Sequence, residues 1–415
     1  MLLILAGVTI SLALGDNGII GKAQEASNMY ANASKDERTA LNQLSDEVSR
    51  LSRRGDDEGG SGGGESQSGT PTGMKNAANN ETIYKTESAT GTVTPLSTTG
   101  TTTVKDNKNN EIKVPKNFGI AYDSGDNVAD GIVIEDTNHN QYVWIPVGEN
   151  MTKSNGDTFS VPLGRYSYAS DGTPSAYYGS YQEYAPGEGS SYGNTKAKNI
   201  TEFTSSANTN HGYYLARYEA GIDCGTDMPT DQYNYAGCSG NHASMTYADK
   251  NKEIKKDGTV KPLSKAGVGV WNAVTQLEAA TICQAMYTKI NDGVESDLIN
   301  SYAWDTAIYY IQQCGTATNS GTYSRTIGKS TDTSGPKLTG ADTLNATNAV
   351  DQQCKIFDMA GNCYEWSTEF SSDTNFPCVY RSGYYNDSYW YTSYRYGFRI
   401  DGRSMGISYR ALLYM

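Results

Sequence analysis

The chain is poor in several residue types, and each shortage excludes a class of protein. Its 415 residues include only three histidines, His139, His211 and His242, which lie far apart. No HxxxH or HExxH spacing occurs, so a histidine-built metal or haem site has almost nothing to be built from. Lysine and arginine number 33 against 46 aspartate and glutamate residues, a net charge of −13. Because phosphate backbones require basic stripes, no nucleic-acid partner is expected.

Long apolar runs are also scarce. Met1 to Leu14 is uncharged, but it is shorter than the roughly 20 residues that span a membrane, and it lacks the basic start of a signal peptide. The residues that follow have a helical period, with one narrow apolar seam at Leu41, Leu44, Val48 and Leu51. This pattern predicts a helix within residues 1–54 that packs against a partner helix.

The composition then changes twice. Residues 55–101 are rich in glycine, serine and threonine, which bury too little apolar surface to order a chain, so they predict a flexible linker. For its second part, from Met74, an irregular cap on the following domain is the alternative. A globular domain is predicted for residues 102–415, with surface loops between residues 151 and 210. Its expected elements are hairpins at 104–115 and 131–147, a strand at 211–221, and helices at 271–286 and 297–312. Two helices on many short strands favour an α+β fold.

Tyrosine is the aromatic residue in excess, with 32 residues against 7 phenylalanines and 5 tryptophans. It offers a rigid ring and a hydroxyl at small entropic cost, which is typical of recognition surfaces. The seven cysteines are an odd number, so at least one is unpaired within the chain if the others bridge. Cys224 and Cys238 bracket a polar loop and are candidates for a disulfide outside the cell. Cys283, in a helical window, is predicted to be a buried free thiol.

The N-terminal segment ILAGVTISLALGDNGIIGKAQEA resembles the first helix of type IV pilin-like proteins from gut Firmicutes. The resemblance covers about Leu2 to Ala26, without the leader and the first part of the apolar stretch, so Met1 would be an internal start or a trimmed end. It implies that residues 1–54 assemble with pilin-like subunits or anchor the chain in a membrane, with display outside the cell, on its surface or on a pilus. Another kind of membrane anchor or a plain amphipathic helix is the alternative.

A second resemblance covers residues 102–415. The ordered blocks YVWIPV, GYYLARYEAG, VWNAV, SDLINSYAWDTAIYY and FDMAGNCYEWS are similar to the formylglycine-generating-enzyme-like domain, a form of the C-type lectin fold. DMAGNCYEW, residues 358–366, matches the family's D-x-x-GN-x-x-EW. The match implies scaffold roles: Gly361 allows a tight turn, Glu365 bonds inside it, and Trp366 anchors the core.

The same family suggests two chemistries, and the residues of this chain argue against both. The enzymes that generate formylglycine use a cysteine pair in the C-terminal segment, whereas residues 381–404 contain no cysteine and Cys378 lies alone upstream. The related sulfoxide synthases need a three-histidine iron site on an added domain, which has no counterpart here. No DxDxDG calcium loop occurs either. We therefore expect no catalytic residue, no metal and no cofactor.

The C-terminal segment, about 381–409, resembles a variable region that a diversity-generating retroelement rewrites at template adenines. Its framing positions would be Arg381 and Gly383 at the start and residues 406–413 at the end. Template codons of the form AAY never yield Lys, Glu, Gln, Met or Trp, and Lys, Glu and Gln are all missing from this segment. Trp390 and Met405 are then fixed positions or arise from other codons.

The variable face combines tyrosines for stacking with small polar groups for hydrogen bonds, as antibody paratopes do. The expected ligand is a protein or glycan on a cell or phage surface. Four arginines against two aspartates give residues 381–409 a local charge of +2, which favours an anionic patch on that partner. The predicted ligand-binding residues are Tyr385, Asn386, Asp387, Ser388, Tyr389, Tyr391, Thr392, Ser393, Tyr394, Tyr396, Phe398, Ile400, Asp401, Arg403 and Ser404.

Part of this set is expected to face the core, since alternate residues of a strand point to opposite faces. Arg381, Arg395 and Arg410 equally fit buried scaffold positions where they bond backbone carbonyls. Two other functions remain open: a fixed pilus component with a lectin-like decoration domain, and an oxidoreductase of the formylglycine-generating type.

Overall fold

The computed structural model describes residues 69–184, 196–222, 238–239, 258, 260–316, 320–326, 335–343, 350–386 and 389–415. The helix predicted within residues 1–54 and the loop between Cys224 and Cys238 lie outside the described residues. All described residues belong to one compact unit, Gln67–Met415. They form mostly β-sheet with few helices. None of the described helices is long and apolar enough to cross a membrane.

The first seven strands are β1 (Thr70–Asn76), β2 (Thr82–Lys85), β3 (Thr102–Lys105), β4 (Glu111–Val114), β5 (Phe118–Ile120), β6 (Val133–Asp136) and β7 (Gln141–Pro146). They belong to a ten-stranded sheet, in which they are neighbours in the order β7-β6-β5-β2-β1-β3-β4. The other three strands of this sheet come later in the chain and continue it beyond β7.

Strands β1 and β2 contradict the linker predicted for residues 55–101. Strand β1 pairs with both β2 and β3, and β2 pairs with β5, so the folded unit begins near residue 70 and not at 102. Met74 and Ile83 are buried in the core. The polar composition of this stretch hid them, because a half-exposed strand needs only alternate apolar residues.

Both predicted hairpins are confirmed, and both turn through the same local chemistry. In the β3–β4 hairpin, one carboxylate oxygen of Asp106 accepts hydrogen bonds from the backbone N–H groups of Lys108 and Asn110. In the β6–β7 hairpin, Asp136 accepts from the backbone of Asn138 and Asn140 in the same way. An aspartate that bonds its own following backbone specifies such turns locally.

The loop predicted between residues 151 and 210 contains regular elements instead. They are β8 (Gly148–Thr152), β9 (Thr158–Val161), β10 (Tyr166–Tyr168), β11 (Pro174–Ala176) and α1 (Ile200–Thr209). Strands β8–β9 and β10–β11 form two small hairpins. The side chain of Asn199 accepts from the backbone N–H of Glu202, which caps α1. Elements this short have too few residues for a period to emerge from a Gly, Ser and Tyr background.

The middle of the described chain contains the predicted strand and both predicted helices. Its elements are β12 (Gly212–Ala216), β13 (Gly221–Ile222), β14 (Cys238–Ser239), β15 (Gly269–Trp271), α2 (Gln276–Gln284), α3 (Lys289–Asp292), β16 (Glu295–Leu298), α4 (Ser301–Cys314) and a 3₁₀ helix (Ser320–Arg325). Helix α2 begins after Thr275, which forms a capping box with Glu278, and α4 begins after the N-cap Asn300. These caps start both helices later than their apolar periods predicted.

The C-terminal part begins with a short hairpin of β17 (Gln352–Gln353) and β18 (Ile356–Phe357). It is followed by β19 (Tyr364–Phe370), β20 (Cys378–Arg381), β21 (Arg395–Phe398) and β22 (Ile407–Tyr409). These four strands form a second sheet with the order β21-β20-β19-β22. The last strand, β23 (Ala411–Tyr414), returns to the ten-stranded sheet between β16 and β12. The candidate variable region, residues 381–409, therefore begins at the end of β20, contains β21 and ends with β22.

Candidate binding face on the C-terminal sheet

The register of the four-stranded sheet separates its side chains into two rows. Trp366 pairs with Tyr380, and Tyr380 pairs with Tyr396. One residue along, Glu365 pairs with Arg381, and Arg381 pairs with Arg395. Because successive residues of a strand point to opposite faces, the aromatic row and the charged row lie on opposite faces of the sheet. We call these the aromatic face and the charged face.

The charged face is held by a buried ionic network. Both carboxylate oxygens of Asp305, on α4, pair with arginines: Oδ1 lies 2.6 Å from Nη2 of Arg381, and Oδ2 contacts Nη2 of Arg395. Glu369, on β19, pairs with the same two arginines at 2.9 and 2.7 Å. Arg165 adds a contact of 3.0 Å to Glu369. Two acids from different elements thus fix both strands of the β20–β21 hairpin.

The network also sets the protonation of the acids around it. Burial by itself raises the pKa of Glu369, but the nearby Arg395, Arg381 and Arg165 outweigh it and hold that pKa at about 2. Neighbouring Glu183 has the opposite shift, because burial and the negative charge of Glu369 raise its pKa to about 7. Glu183 still accepts hydrogen bonds from the backbone of Ser301 and the hydroxyl of Thr368.

A second buried ion pair involves the DMAGNCYEW motif, because Glu365 of the motif pairs with Arg410. Glu365 contacts Nε of Arg410 at 2.7 Å and also contacts its Nη2, so the role implied for Glu365, a bond inside the turn, is wrong. Trp366 is fully buried and donates its indole N–H to the carbonyl of Val274 at 2.9 Å, as expected for a core anchor. The left-handed residues of this turn are Asp358 and Asn362. The motif is therefore a scaffold for the sheet.

The aromatic face presents a series of rings that reaches the surface. Tyr364 lies 4.5 Å from Tyr380, and Tyr380 lies 5.6 Å from Tyr396, measured between ring centroids. Tyr394 stacks on Trp390 at 4.0 Å. Exposure rises along the series, from the buried Tyr364 and Tyr380 to Tyr396, which is 45% exposed. Such ring pairs add about 0.5–1.5 kcal/mol each beyond the area that they bury.

The predicted ligand-binding residues divide by exposure. Asn386, Tyr389, Tyr396, Ile400, Asp401 and Arg403 are exposed, and Tyr389 is 77% exposed. Tyr385, Tyr391, Ser393, Tyr394, Phe398 and Ser404 are half-buried. Asp387 and Ser388 lie outside the described residues. Most of the described members are therefore at least partly exposed.

Thr392 is the clear exception, because it is 0% exposed and cannot contact a ligand. Its carbonyl accepts the indole N–H of Trp304 at 2.9 Å, which draws this residue against α4. Beside it, the hydroxyl of Ser393 donates to the carbonyl of Ser324 at 2.8 Å. These contacts tie the segment between β20 and β21 to the domain at its middle as well as at its strand ends.

The charge predicted for this surface is not displayed. Arg381 and Arg395 are buried and neutralised by Asp305 and Glu369, which removes two of the four positive charges in residues 381–409. The exposed Arg399 pairs with Asp401 at 3.1 Å, and Arg403 pairs with Glu278 on α2. The expected preference for an anionic patch on a partner therefore loses its basis.

The sequence reasoning missed a tyrosine segment that flanks the edge strand β21. The guanidinium of Arg395 lies 4.0 Å above the ring of Tyr177, and Arg165 lies 4.9 Å above it. Tyr181 accepts a hydrogen bond from the backbone of Gly397 and lies close to Tyr396, while Tyr178 is 90% exposed. The density of tyrosine between residues 166 and 184 was the available signal. Its location beside β21 was not readable from the sequence.

Two observations bear on chemistry at this site. Cys378 is buried, and burial raises the pKa of its thiol to about 12, the opposite of an activated cysteine. Among the residues that the structure describes, no group of three or more His, Cys, Asp or Glu side chains is arranged to hold a metal ion.

No family model and no curated protein matches the chain. Similar solved structures include CarF, 13% identical over 49% of this chain and 87% of that chain, with a TM-score of 0.29. PvdO from Pseudomonas aeruginosa is 10% identical over 68% of this chain and 98% of that chain, with a TM-score of 0.32. Treponema denticola variable protein 1 is 12% identical over 49% of this chain and 96% of that chain, with a TM-score of 0.27. Likenesses this low show neither a family nor a function for this chain.

Proposed function

We propose that this chain is a ligand-binding protein without catalytic activity, and that it recognises a protein or glycan through the exposed end of the aromatic face. The observation that carries the proposal is the contrast within one sheet. On its charged face, the hairpin β20–β21 is held by buried ion pairs. Tyr389 and Tyr396, in contrast, are exposed to solvent. Rigid aromatic anchors beside small polar groups are the composition of paratopes.

The finer assignment follows the two sequence resemblances. We propose that residues 69–415 adopt a C-type lectin fold of the formylglycine-generating-enzyme type, and that a retroelement diversifies its C-terminal face. The pilin-like segment within residues 1–54 would display this domain on a cell surface or pilus, with a partner on a cell or phage surface. The buried network supports diversification, because the arginines and acids that hold the hairpin are buried, whereas positions such as Asn386, Tyr389 and Tyr396 are exposed.

Population sequencing of the DNA that encodes residues 375–415 tests diversification. We expect substitutions at exposed positions such as Asn386, Tyr389 and Tyr396, with mismatches at the adenines of a nearby template copy. The buried Arg381 and Arg395 serve as internal controls and should stay invariant. A uniform segment without a template copy would contradict diversification and leave a fixed adhesin or a pilus component.

Binding is tested with the full chain on a glycan array and, by flow cytometry, on cells of the source community. We expect the double variant Tyr389→Ala, Tyr396→Ala to lower any bound signal about tenfold or more, since each truncation removes an exposed aromatic anchor. The matched control is Tyr122→Ala, because Tyr122 is 42% exposed but lies outside the face. Equal losses in the control and the double variant would reject the face as the binding site.

A further inference from the structure

The hairpin β17–β18 reverses through a turn of unusual composition. Gln353 pairs with Ile356, so only Cys354 and Lys355 lie between the paired residues. Both have left-handed backbones, with φ of 47° and 67°. Two central residues with positive φ define a type I′ turn, which strongly favours Asn-Gly. Cysteine and lysine occupy it at a cost in conformational free energy.

The turn packs closely against its surroundings. A Cβ atom built on Gly131, itself at φ 87°, would lie 2.2 Å from the carbonyl oxygen of Cys354, so only glycine permits this approach. The side chain of Arg217 donates from Nε to the carbonyl of Lys355 at 3.1 Å. The backbone carbonyl of Arg217 accepts from the backbone N–H of Phe357 at 2.9 Å. Backbone strain persists where the structure over-determines it, and here it fixes the position of one thiol.

A second thiol belongs to the same cluster. Cys314 ends α4, four residues after Tyr310, so both side chains lie on one face of the helix. The hydroxyl of Tyr310 donates to the carbonyl of Val128 at 2.7 Å and contacts the thiol of Cys354. Just beyond Cys314, the backbone N–H of Thr316 donates to the side chain of Gln353 at 3.0 Å. The backbone two residues after Cys314 thus contacts the side chain that directly precedes Cys354.

The two thiols also share charged neighbours, Lys153 and Asp130. Burial raises the pKa of the Cys314 thiol to about 12, against a lowering influence from Lys153. Burial, together with the nearby Cys314, raises the pKa of Cys354 well above its usual value. The thiolate fraction at neutral pH is therefore small, and reactions of either thiol should become faster as the pH rises.

We propose that Cys314 and Cys354 are a thiol pair that closes to a disulfide when a glutathione-type disulfide is the oxidant. One thiolate attacks the oxidant and forms a mixed disulfide, releasing one glutathione thiol. The second protein thiolate then attacks the protein sulfur of that intermediate and releases the second glutathione. The protein loses two electrons and two protons, and the oxidant gains them.

The bond would join the end of α4 to the strained turn. Helix α4 carries Asp305 and Trp304, which hold Arg381, Arg395 and the carbonyl of Thr392 beneath the aromatic face. The disulfide would therefore stabilise the support of this face. The inference does not depend on the proposed binding function.

The test treats the folded full chain with glutathione disulfide at mildly alkaline pH, quenches it with acid and N-ethylmaleimide, and maps the peptides by mass spectrometry without reduction. A parallel sample is refolded from denaturant in a glutathione redox buffer, which gives access to thiols that the folded state buries. We expect one peptide that joins Cys314 to Cys354, and a rise in the thermal midpoint of roughly 3–6 °C over the reduced chain.

Matched variants separate this pair from the other cysteines. Cys314→Ser and Cys354→Ser should abolish both the joined peptide and the thermal shift, whereas Cys283→Ala should retain them. Recovery of both thiols as separate maleimide or glutathione adducts in both samples would overturn the proposal. A bond from Cys314 or Cys354 to any other cysteine would overturn it too.

Discussion

The two faces of the C-terminal sheet are built from the same strands, but ion pairs stabilise one face and contacts between aromatic rings stabilise the other. On the charged face, two arginines of the hairpin are fully paired with Asp305 and Glu369 and have almost no exposure. On the aromatic face, rings contact one another and become progressively exposed toward Tyr396. The first arrangement tolerates few substitutions, because a buried charge requires its partner. The second should tolerate more, since truncating an exposed ring such as Tyr396 leaves no buried charge without its partner.

Breaking the charged face should give the largest effect. Glu369→Ala leaves Arg381 and Arg395 with one buried carboxylate in place of two, and we expect a loss of about 3–5 kcal/mol in the free energy of unfolding. Urea denaturation measures it. The control is Asp401→Asn, which removes an exposed carboxylate and should change stability by less than about 0.5 kcal/mol. A loss below about 1 kcal/mol for Glu369→Ala would show that the network does not hold the hairpin.

Two matched truncations distinguish the buried part of the aromatic face from its exposed end. Tyr380→Ala removes a buried ring that contacts Tyr364, Trp366 and Tyr396, and we expect a loss of about 3 kcal/mol. Tyr396→Ala removes a ring that is half in solvent and should cost about 1 kcal/mol or less. Thermal and urea denaturation of both variants decide the point. Equal losses would mean that Tyr396 belongs to the core and not to a binding surface.

The pH dependence distinguishes two acids of one network. The pKa of Glu183 is raised to about 7 in the folded state, so the folded chain holds a proton that the unfolded chain releases above about pH 4.5. Stability should therefore fall as the pH rises from about 4.5 to 7. The variant Glu183→Gln should reduce this fall by up to about 3 kcal/mol.

Unfolding curves at several pH values measure this effect, with the exposed Glu149→Gln as the control. Glu369 should act in the opposite direction. Its pKa is lowered to about 2, so its stabilising contribution is complete above about pH 4.5 and is lost as the pH falls toward 2. An unchanged profile in Glu183→Gln would place the titrating group elsewhere, with Asp297 and Asp351 as the next buried acids to replace.

The smallest effect is expected where charges pair in solvent. Arg399 and Asp401 lie 3.1 Å apart but are both well exposed. Arg399→Ala should change the free energy of unfolding by no more than about 0.5 kcal/mol, because exposed ion pairs contribute little. A double-mutant cycle with Asp401→Ala measures their coupling. A coupling above about 1 kcal/mol would make this loop part of the rigid scaffold.

Much of the local structure could be predicted because its causes lie within a few residues. Asp106 and Asp136 each bond the backbone that follows them, so both hairpins were readable. The helices were readable from apolar spacing, although the caps at Thr275 and Asn300 moved their starts. Strands β1 and β2 were missed although they pair with each other, because their polar composition hid the alternation of their few apolar residues.

The candidate site was predicted as a segment but not as a surface. Tyrosine, asparagine and serine in residues 381–409 indicated recognition, and most of the described members are accessible. The burial of Thr392 and the neutralisation of Arg381 depend on Trp304 and Asp305 of α4, some 80 residues away. The neighbouring Tyr177 is more than 200 residues from its partner Arg395.

By itself, the sequence determined the turns, the helix caps, the alternation along each strand and the unusual supply of tyrosine, because short-range hydrogen bonds and periodicity specify them. Alternation shows that two faces differ but not which one meets solvent. Only the tertiary structure decided that, because α4 brings Asp305 against Arg381 and Arg395. A buried arginine requires a carboxylate partner, so the position of that partner buried the charged row, whereas the aromatic row reaches solvent at its Tyr396 end.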